Sequence, residues 1–407
     1  MPSTLLTPAT SEPVTPMLQA RDFLGPCYER GVRFVTGTPC SYLKPLINAA
    51  IDDPRLHFRD AVNEGDAVAL AAGAMLVGVQ PLVMFQNSGL GNAVNALTSL
   101  CRPFRVPVLL VVTQRGEPGG AADEPQHEQM GRITTALLDT LEISWVRFPE
   151  EVAEVAAVLD QAFAAMAADR RPFALVMSKD AVAHQALRKR TPEEAPGVRE
   201  FVFKETLRRR PAERCSRTEA LVAIRMARSE GEVLVATTGY TGRELCALGD
   251  DPWNIYLVGS MGSASAFGLG LALHTRGRRV TIIEGDGAVL MRMGNLATLG
   301  AYAPPELLHV VLDNEAHDST GGQATVSRGV AFAAVAQACG YGRVLSTDDE
   351  GLFAAALAAP RTDGPTLIHF RIRTGAPENM PRPSVTPAEV FRRLQHWLIT
   401  NQERGRK

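Results

Sequence analysis

The run VTIIEGDGAVL, Val280–Leu290, reads as a buried strand, a glycine–acid–glycine turn and the start of a helix. Val280, Thr281, Ile282 and Ile283 are all β-branched, which suits a pleated surface packed on both faces. Asp286 is thereby set at the strand's carboxyl end, and the glycines at 285 and 287 allow close backbone approach. A helix to about Gly300 follows, and the next good strand, Leu307–Leu312, ends in Asp313-Asn314, with Asp313 twenty-six residues after Gly287. In a doubly wound sheet, neighbouring parallel strands deliver Asp286 and Asn314 to one crevice. Two oxygen ligands there suit a hard cation such as Mg2+ that also grips a diphosphate. Taken singly, Gly-Asp-Gly is also a common turn and Asn314 a helix cap; the spacing and the glycines give the pair its weight.

Outward from this run the same pattern recurs. Short aliphatic runs, each followed by a Gly or Asn turn and a longer Ala- and Leu-rich segment, predict strands at 32–36, 57–62, 82–86, 106–113, 145–148 and 173–177. A second set is predicted at 232–236, 255–258, 280–284, 307–312, 342–345 and 366–371. Strands alternating with helices imply parallel sheets covered on both faces, hence two open parallel-sheet α/β domains of similar size. The polar stretch 188–214, with its Arg208-Arg209-Arg210-Pro211 run, separates 17–187 from 215–402 as a linker, with a short extended piece at Glu200–Lys204. Its arginines read as solvated charge rather than an anion patch. Residues 1–16 and 403–407 read as disordered ends. No fixed-period repeat is present, so any kinship between the halves is structural.

The chain has 407 residues, 45% hydrophobic and 21% charged, enough for two sizeable cores. Its 42 Lys and Arg against 44 Asp and Glu leave no positive excess for a phosphate backbone, which argues against nucleic acid. The longest apolar stretch, Ala67–Val79, is far short of the roughly 20 residues that span a bilayer, and Met1–Met17 lacks the features of a signal peptide. A cytoplasmic protein with no membrane partner is expected. Six cysteines without a CxxC pair suggest neither zinc nor disulfides; most are expected in the core, with Cys40 a possible exception.

Further pieces bear on anion binding. Gly259-Ser260-Met261-Gly262 opens the small-residue helix 263–274 and offers free amides at a positive helix end, although such residues also mean close packing. Thr237-Thr238-Gly239 offers hydroxyls and an amide at the same rim. In the first half, Glu64 stands where a strand passes into the apolar helix 67–79, partly desolvated and so suited to sharing a proton, or else a first-turn acid that stabilises the helix dipole. Gln86-Asn87-Ser88-Gly89 is a second strand-to-helix turn.

The Gly-Asp-Gly…Asn arrangement resembles the thiamine-diphosphate signature. With Gly37-Thr38-Pro39-Cys40-Ser41, Arg115-Gly116-Glu117-Pro118-Gly119, Asp123-Glu124-Pro125-Gln126-His127, Arg243-Glu244-Leu245, and His317 with Ser319-Thr320-Gly321-Gly322-Gln323, the chain from about Arg21 to Arg373 is similar to the phosphonopyruvate decarboxylases, with the sulfopyruvate decarboxylases nearby. The resemblance implies a pyrimidine-binding domain (17–187), a diphosphate- and Mg2+-binding domain (215–402) and no central third domain. It implies Asp286, Asn314 and the carbonyl near Ala316 as metal ligands. Glu64, Asn87, Gly89, Thr238, Gly239, Ser260, Met261, Gly285, Gly287 and Ala288 would line the cofactor, with Glu64 exchanging the pyrimidine proton. Ser41, Arg115, His127 and His317 are the candidates for an anionic 2-oxo acid, with Lys44 also in reach, and either histidine could deliver a proton. It further implies a homodimer or larger assembly with sites shared between subunits. Four positions depart from the family pattern: Glu315 for Gly, Asp318 for Glu, Tyr240 for Lys and Gly242 for Ser. They put substrate identity in doubt more than cofactor chemistry. A carboligase on the same scaffold, a dinucleotide-binding protein and an inert regulatory subunit are the other readings; neither half has a clean GxGxxG with a following acid, which weighs against the second.

Overall fold

The computed structural model describes residues 17–189, 205–207, 209–275, 277–360, 364–378 and 380–404. The first sixteen residues, the extended piece expected at 200–204, Arg208 and residues 405–407 lie outside that set. All twelve expected strands form, with ends displaced by no more than three residues. Those of the first half are β1 (Val32–Gly37), β2 (His57–Asp60), β3 (Gln80–Phe85), β4 (Leu109–Thr113), β5 (Ser144–Arg147) and β6 (Phe173–Met177). The second half has β7 (Glu205–Thr206), β8 (Val233–Ala236), β9 (Asn254–Tyr256), β10 (Val280–Gly285), β11 (Leu307–Asp313), the short hairpin β12 (Ala316–His317) and β13 (Gln323–Ala324), then β14 (Arg343–Thr347) and β15 (Thr366–Arg371). β4 starts later than the apolar run because Pro107 has no N–H to give the ladder.

The first sheet runs β2-β1-β3-β4-β6-β5 and the second β7-β14-β15-β11-β10-β8-β9, both parallel throughout. Interior strands such as β4, β6 and β11 are buried at every residue, as two-sided cover demands. The polar strands β2 (HFRD) and β5 (SWVR) lie at the first sheet's edges, where exposed charge discourages further pairing. Without β7, the second sheet read from its far edge is β9-β8-β10-β11-β15-β14, the same order of connections as the first. The kinship between the halves is therefore one of topology. In each sheet the order reverses beside the first strand, so ligand crevices open at the carboxyl ends of β1 and β3, and of β8 and β10.

Helices in equivalent places join the halves. Glu64–Leu76 follows β2, Ala264–Ala272 follows β9, and the two pack on each other. Both are apolar nearly all round because both are enclosed, and Ala264–Ala272 is buried at every residue. The backbones come so close that a Cβ on Gly73 would lie 2.0 Å from the Phe267 carbonyl oxygen, and one on Gly270 2.0 Å from that of Leu70. Gln395, on the last helix Pro387–Arg404, also donates across the seam to the Met75 carbonyl at 2.6 Å.

Three expectations need correction. The helix after Gly-Asp-Gly is two pieces, Asp286–Met291 and Asn295–Tyr302, because Arg292 leaves helical geometry and reaches toward the first half. The end of the linker belongs to the second domain: β7 joins its sheet, the Arg209 amide donates to Asp348, and the Arg209 guanidinium pairs with Glu350 at 2.7 Å. Cys40 is no exception to burial, with its thiol 3.4 Å from Gln86 Oε1, and all six cysteines are free. The last helix runs to Arg404, two residues into the expected tail, and no helix among the described residues is long and apolar enough to cross a membrane.

Candidate active site

Asp286 opens its helix at the carboxyl end of β10, and Asp313 and Asn314 leave the adjacent end of β11. Asp286 accepts a hydrogen bond from Thr325 Oγ1, a residue with no signal in the sequence. Burial, aided by the charge of Asp313, raises the Asp286 carboxyl above its ordinary range. Asp313 itself is held below its own despite burial, because His369 Nε2 (2.9 Å), Ser327 Oγ (2.9 Å) and the Glu315 amide (2.9 Å) all face it. A divalent cation at Asp286 would relieve both its desolvation and this repulsion, so the donor set fits Mg2+. No cluster of three or more His, Cys, Asp or Glu suited to a metal occurs among the described residues, so a cation here relies on one carboxylate with amide, carbonyl and external oxygens.

The surrounding backbone makes room for an anion. Ser260 and Gly262 both have left-handed φ (51° and 87°), which turns the chain sharply before the buried helix, and Ser260 and Ser263 share a 2.7 Å hydroxyl contact. Gly287 lies beneath the His317 ring and beside Met261: a Cβ there would stand 2.6 Å from His317 Cε1 and 3.2 Å from the methionine methyl. Ala288 is buried behind it. Gly239, at φ 92°, faces Ser319, so the Thr238-Gly239 turn and the loop after Asn314 meet. Thr238 and Gly239 also open onto a cavity of about 420 Å3 lined by Gly242, Arg243, Tyr256 and Arg382. Neither Arg243 nor Arg382 has a carboxylate partner among the described residues. Arg382 gave no signal in the sequence.

Glu315, where the family pattern has glycine, sits at φ 61°, a left-handed geometry that costs a non-glycine residue about 1–2 kcal/mol. Its carboxylate pairs with Arg371 at 2.9 Å and Arg328 at 3.2 Å. Glu315→Gly is expected to change stability by less than about 1 kcal/mol, since backbone relief opposes the lost pairing, whereas Glu315→Ala keeps the strain and should cost about 1–2 kcal/mol. Thermal melts of the two variants check this.

In the first half the helix begins at Glu64, three residues earlier than expected, because the Asn63 side chain caps it by accepting from the Gly65 amide at 2.8 Å. Glu64 Oε1 accepts from Thr38 Oγ1 (3.0 Å) and Oε2 from Asn92 Nδ2 (2.8 Å). A Cβ on Gly89 would fall 2.4 Å from the Glu64 carboxyl carbon, so only glycine lets that carboxyl lie against the next helix. Arg292, from beyond Asp286, donates to Asn63 Oδ1 and lies 3.7 Å from Asp66. Burial lifts the Asp66 carboxyl to about 7, with Arg292 opposing. The two halves of the candidate site thus face one seam within a single chain. The expectation that a monomer would hold only half of each site is corrected accordingly.

Other candidates are placed differently from expectation. Arg115 is bound by Asp123 through Nε (2.7 Å) and Nη2 (2.5 Å), and its Nη1 donates to Ser41 Oγ at 3.1 Å. Arg115 thereby holds the Asp123 carboxyl well below the usual range, and its charge is already compensated. Asn87 is fully buried and spends its amide on the Arg115 carbonyl and Thr134 Oγ1, both at 2.9 Å, which supports the Arg115 loop. His127 is buried at the end of that loop, and neither its ring nor that of His317 has a hydrogen-bond partner among the described residues. Lys44 is exposed at the start of its helix.

Two parallel sheets, a seam bearing Glu64 on one side and an Asp286–Asn314 crevice on the other define a thiamine-diphosphate enzyme. The family described as "Thiamine pyrophosphate enzyme, N-terminal TPP binding domain" matches residues 20–136, and "Thiamine pyrophosphate enzyme, C-terminal TPP binding domain" matches 250–370. A phosphonopyruvate decarboxylase of Streptomyces viridochromogenes is 44% identical over 385 residues, 94% of this chain and 96% of that one. A sulfopyruvate decarboxylase of Methanosarcina acetivorans is 27% identical over 91% of this chain and 95% of its own. The crystal structure of a thiamine diphosphate-dependent 4-hydroxybenzoylformate decarboxylase of Rhodococcus jostii covers 88% of this chain and 99% of its own, with a TM-score of 0.66 at 14% identity, a likeness of fold alone. The chain belongs to the thiamine-diphosphate-dependent carboxy-lyases, in the phosphonopyruvate decarboxylase family.

Proposed function

We propose that the chain catalyses the non-oxidative decarboxylation of 3-phosphonopyruvate to phosphonoacetaldehyde and CO2, with thiamine diphosphate and Mg2+. The observation that carries this reading is the 44% identity to a phosphonopyruvate decarboxylase along nearly the whole of both chains. The cofactor, when bound, supplies the electron sink for the carbon–carbon cleavage. The protein's residues then bind, orient and move protons. Glu64 exchanges a proton with the cofactor's pyrimidine. Asp286, the Asn314 amide oxygen and the Ala316 carbonyl hold Mg2+. The turns at Thr238-Gly239, Ser260-Met261 and Gly285–Ala288 cradle the diphosphate. His317, above Gly287, and His127 are the groups for proton delivery to the nascent product.

An anionic substrate is supported by the unpaired guanidiniums of Arg243 and Arg382 on one cavity; the compensated charge of Arg115 makes the Ser41–Arg115 pair a weaker phosphonate site than the sequence suggested. A homodimer or larger assembly, as the resemblance implies, would build equivalent sites by exchanging the seam between copies. Sulfopyruvate decarboxylation and carboligation are the alternatives on this scaffold. Phosphorus NMR of the protein with Mg2+, thiamine diphosphate and 3-phosphonopyruvate is expected to show cofactor-dependent phosphonoacetaldehyde. Unchanged substrate from protein that binds the cofactor would overturn the substrate assignment and bring sulfopyruvate to the front.

A further inference from the structure

Asp318, one of the departures from the family pattern, lies four residues after Asn314 at the centre of a buried charge network. Its Oδ2 receives three donors: Asn314 Nδ2 at 2.6 Å, Arg217 Nη2 at 2.7 Å and the Gly375 amide at 3.0 Å. Arg217, the first residue of its helix, is itself fixed by Glu244 Oε1 at 2.7 Å, and Glu244 also takes the Thr218 hydroxyl at 2.8 Å. The side chains of Arg217, Glu244 and Asp318 are 8%, 2% and 9% exposed. The Tyr240 ring lies 5.7 Å from the Arg217 guanidinium carbon. A lysine there, as in the family pattern, would set a second cation beside Arg217, so the departures at 240 and 318 fall within one network.

An amide presents an oxygen at one end and an NH2 of nearly the same shape at the other, and only the oxygen can ligate a cation. A carboxylate only accepts, so a carboxylate held rigidly at one end of the amide selects the NH2 for itself and leaves the oxygen at the other. Asn314 Oδ1 receives only the Ala316 amide, at 3.3 Å, which leaves a lone pair for a metal. We propose that Asp318, locked by Arg217 and Glu244, is the positioning residue of the metal site, fixing which end of the Asn314 amide faces the cation. This rests on the reading of Asp286 and Asn314 as ligands. Arg217 has a second task, since it neutralises Asp318, so the carboxylate orients Asn314 without itself competing for Mg2+.

The test is Mn2+ binding, followed by electron paramagnetic resonance of the free ion in the presence of thiamine diphosphate, on the full-length protein. Removing a group that orients a metal ligand costs 10–100-fold in affinity as a rule, and Asp318→Asn is expected to weaken Mn2+ binding by about that much. Asp318→Glu keeps an acceptor-only group and should recover most of the affinity. Arg217→Lys keeps the charge but cannot grip both carboxylates with one planar fork, so an intermediate loss is expected, and this variant carries the test should Asp318→Asn not fold. Unchanged Mn2+ affinity in Asp318→Asn or Arg217→Lys, with only a lowered melting temperature, would reduce the network to a structural one and overturn the proposal. Asp286→Asn separates the two levels of the argument: Mn2+ binding that survives in that variant removes the metal-site reading itself, whereas its loss there beside full affinity in the Asp318 and Arg217 variants removes the positioning role alone.

Discussion

Replacement of Glu64 by glutamine is expected to lower kcat by about 10²–10⁴-fold, the range that a positioned proton-transfer group contributes, while leaving the fold and cofactor affinity nearly unchanged. Glutamine has the same shape, and the contacts of Glu64 are with two side chains of its own half, Thr38 and Asn92, so no element depends on its charge for packing. An amide nitrogen cannot take up and return a proton at neutral pH. Gly89 remains free to admit the side chain, so the variant should dock in the native place. Turnover, melting temperature and thiamine diphosphate affinity measured together separate a lost proton transfer from a lost fold. A kcat within threefold of the parent would remove Glu64 from the chemistry.

The largest effect on stability is expected at the seam. In Gly73→Val the new Cβ must occupy space 2.0 Å from a carbonyl oxygen of the opposing helix, and the obstacle is backbone, so no side-chain rotation relieves it. The helices Glu64–Leu76 and Ala264–Ala272 would have to separate along a fully enclosed contact, at a cost of about 3 kcal/mol or more. Because Glu64 begins one of these helices, cofactor binding should fail before the domains unfold. Gly91→Ala is the control: nothing lies within 4 Å of its added Cβ, and a glycine-to-alanine change inside a helix stabilises by roughly 0.5–1 kcal/mol. Equal melting temperatures for the two variants would mean that the close helix crossing contributes little.

Much of this was readable from local pattern. β-branched runs ended by Gly or Asn gave every expected strand, since a strand enclosed on both faces has few other compositions, and Asp286, Asn314 and Glu64 were recognisable because turn chemistry puts them at strand ends. The unreadable parts are those that depend on which strands become neighbours. Nothing around Thr325 or Arg292 announces that one meets Asp286 and the other Asn63, thirty-nine and over two hundred residues away. The charge of Arg115 is cancelled by Asp123, and the amide of Asn87 is turned inward to Thr134, facts of side-chain geometry that no spacing rule encodes. Glu315 shows the converse: its left-handed φ explains why glycine suits that position, although the sequence shows only an acid.

The shared connectivity of the two sheets has a bearing on how such an enzyme changes over generations. Two halves with one ground plan have divided the labour: one keeps an acid beside the loops after β1 and β4, the other a cation crevice after β10 and β11. Since the joint between them is a pair of apolar helices remote from both sets of loops, either set can accumulate changes without loosening the joint. Diversity in the acids accepted can then arise by editing the first half's loops, while the metal-holding half is inherited nearly intact.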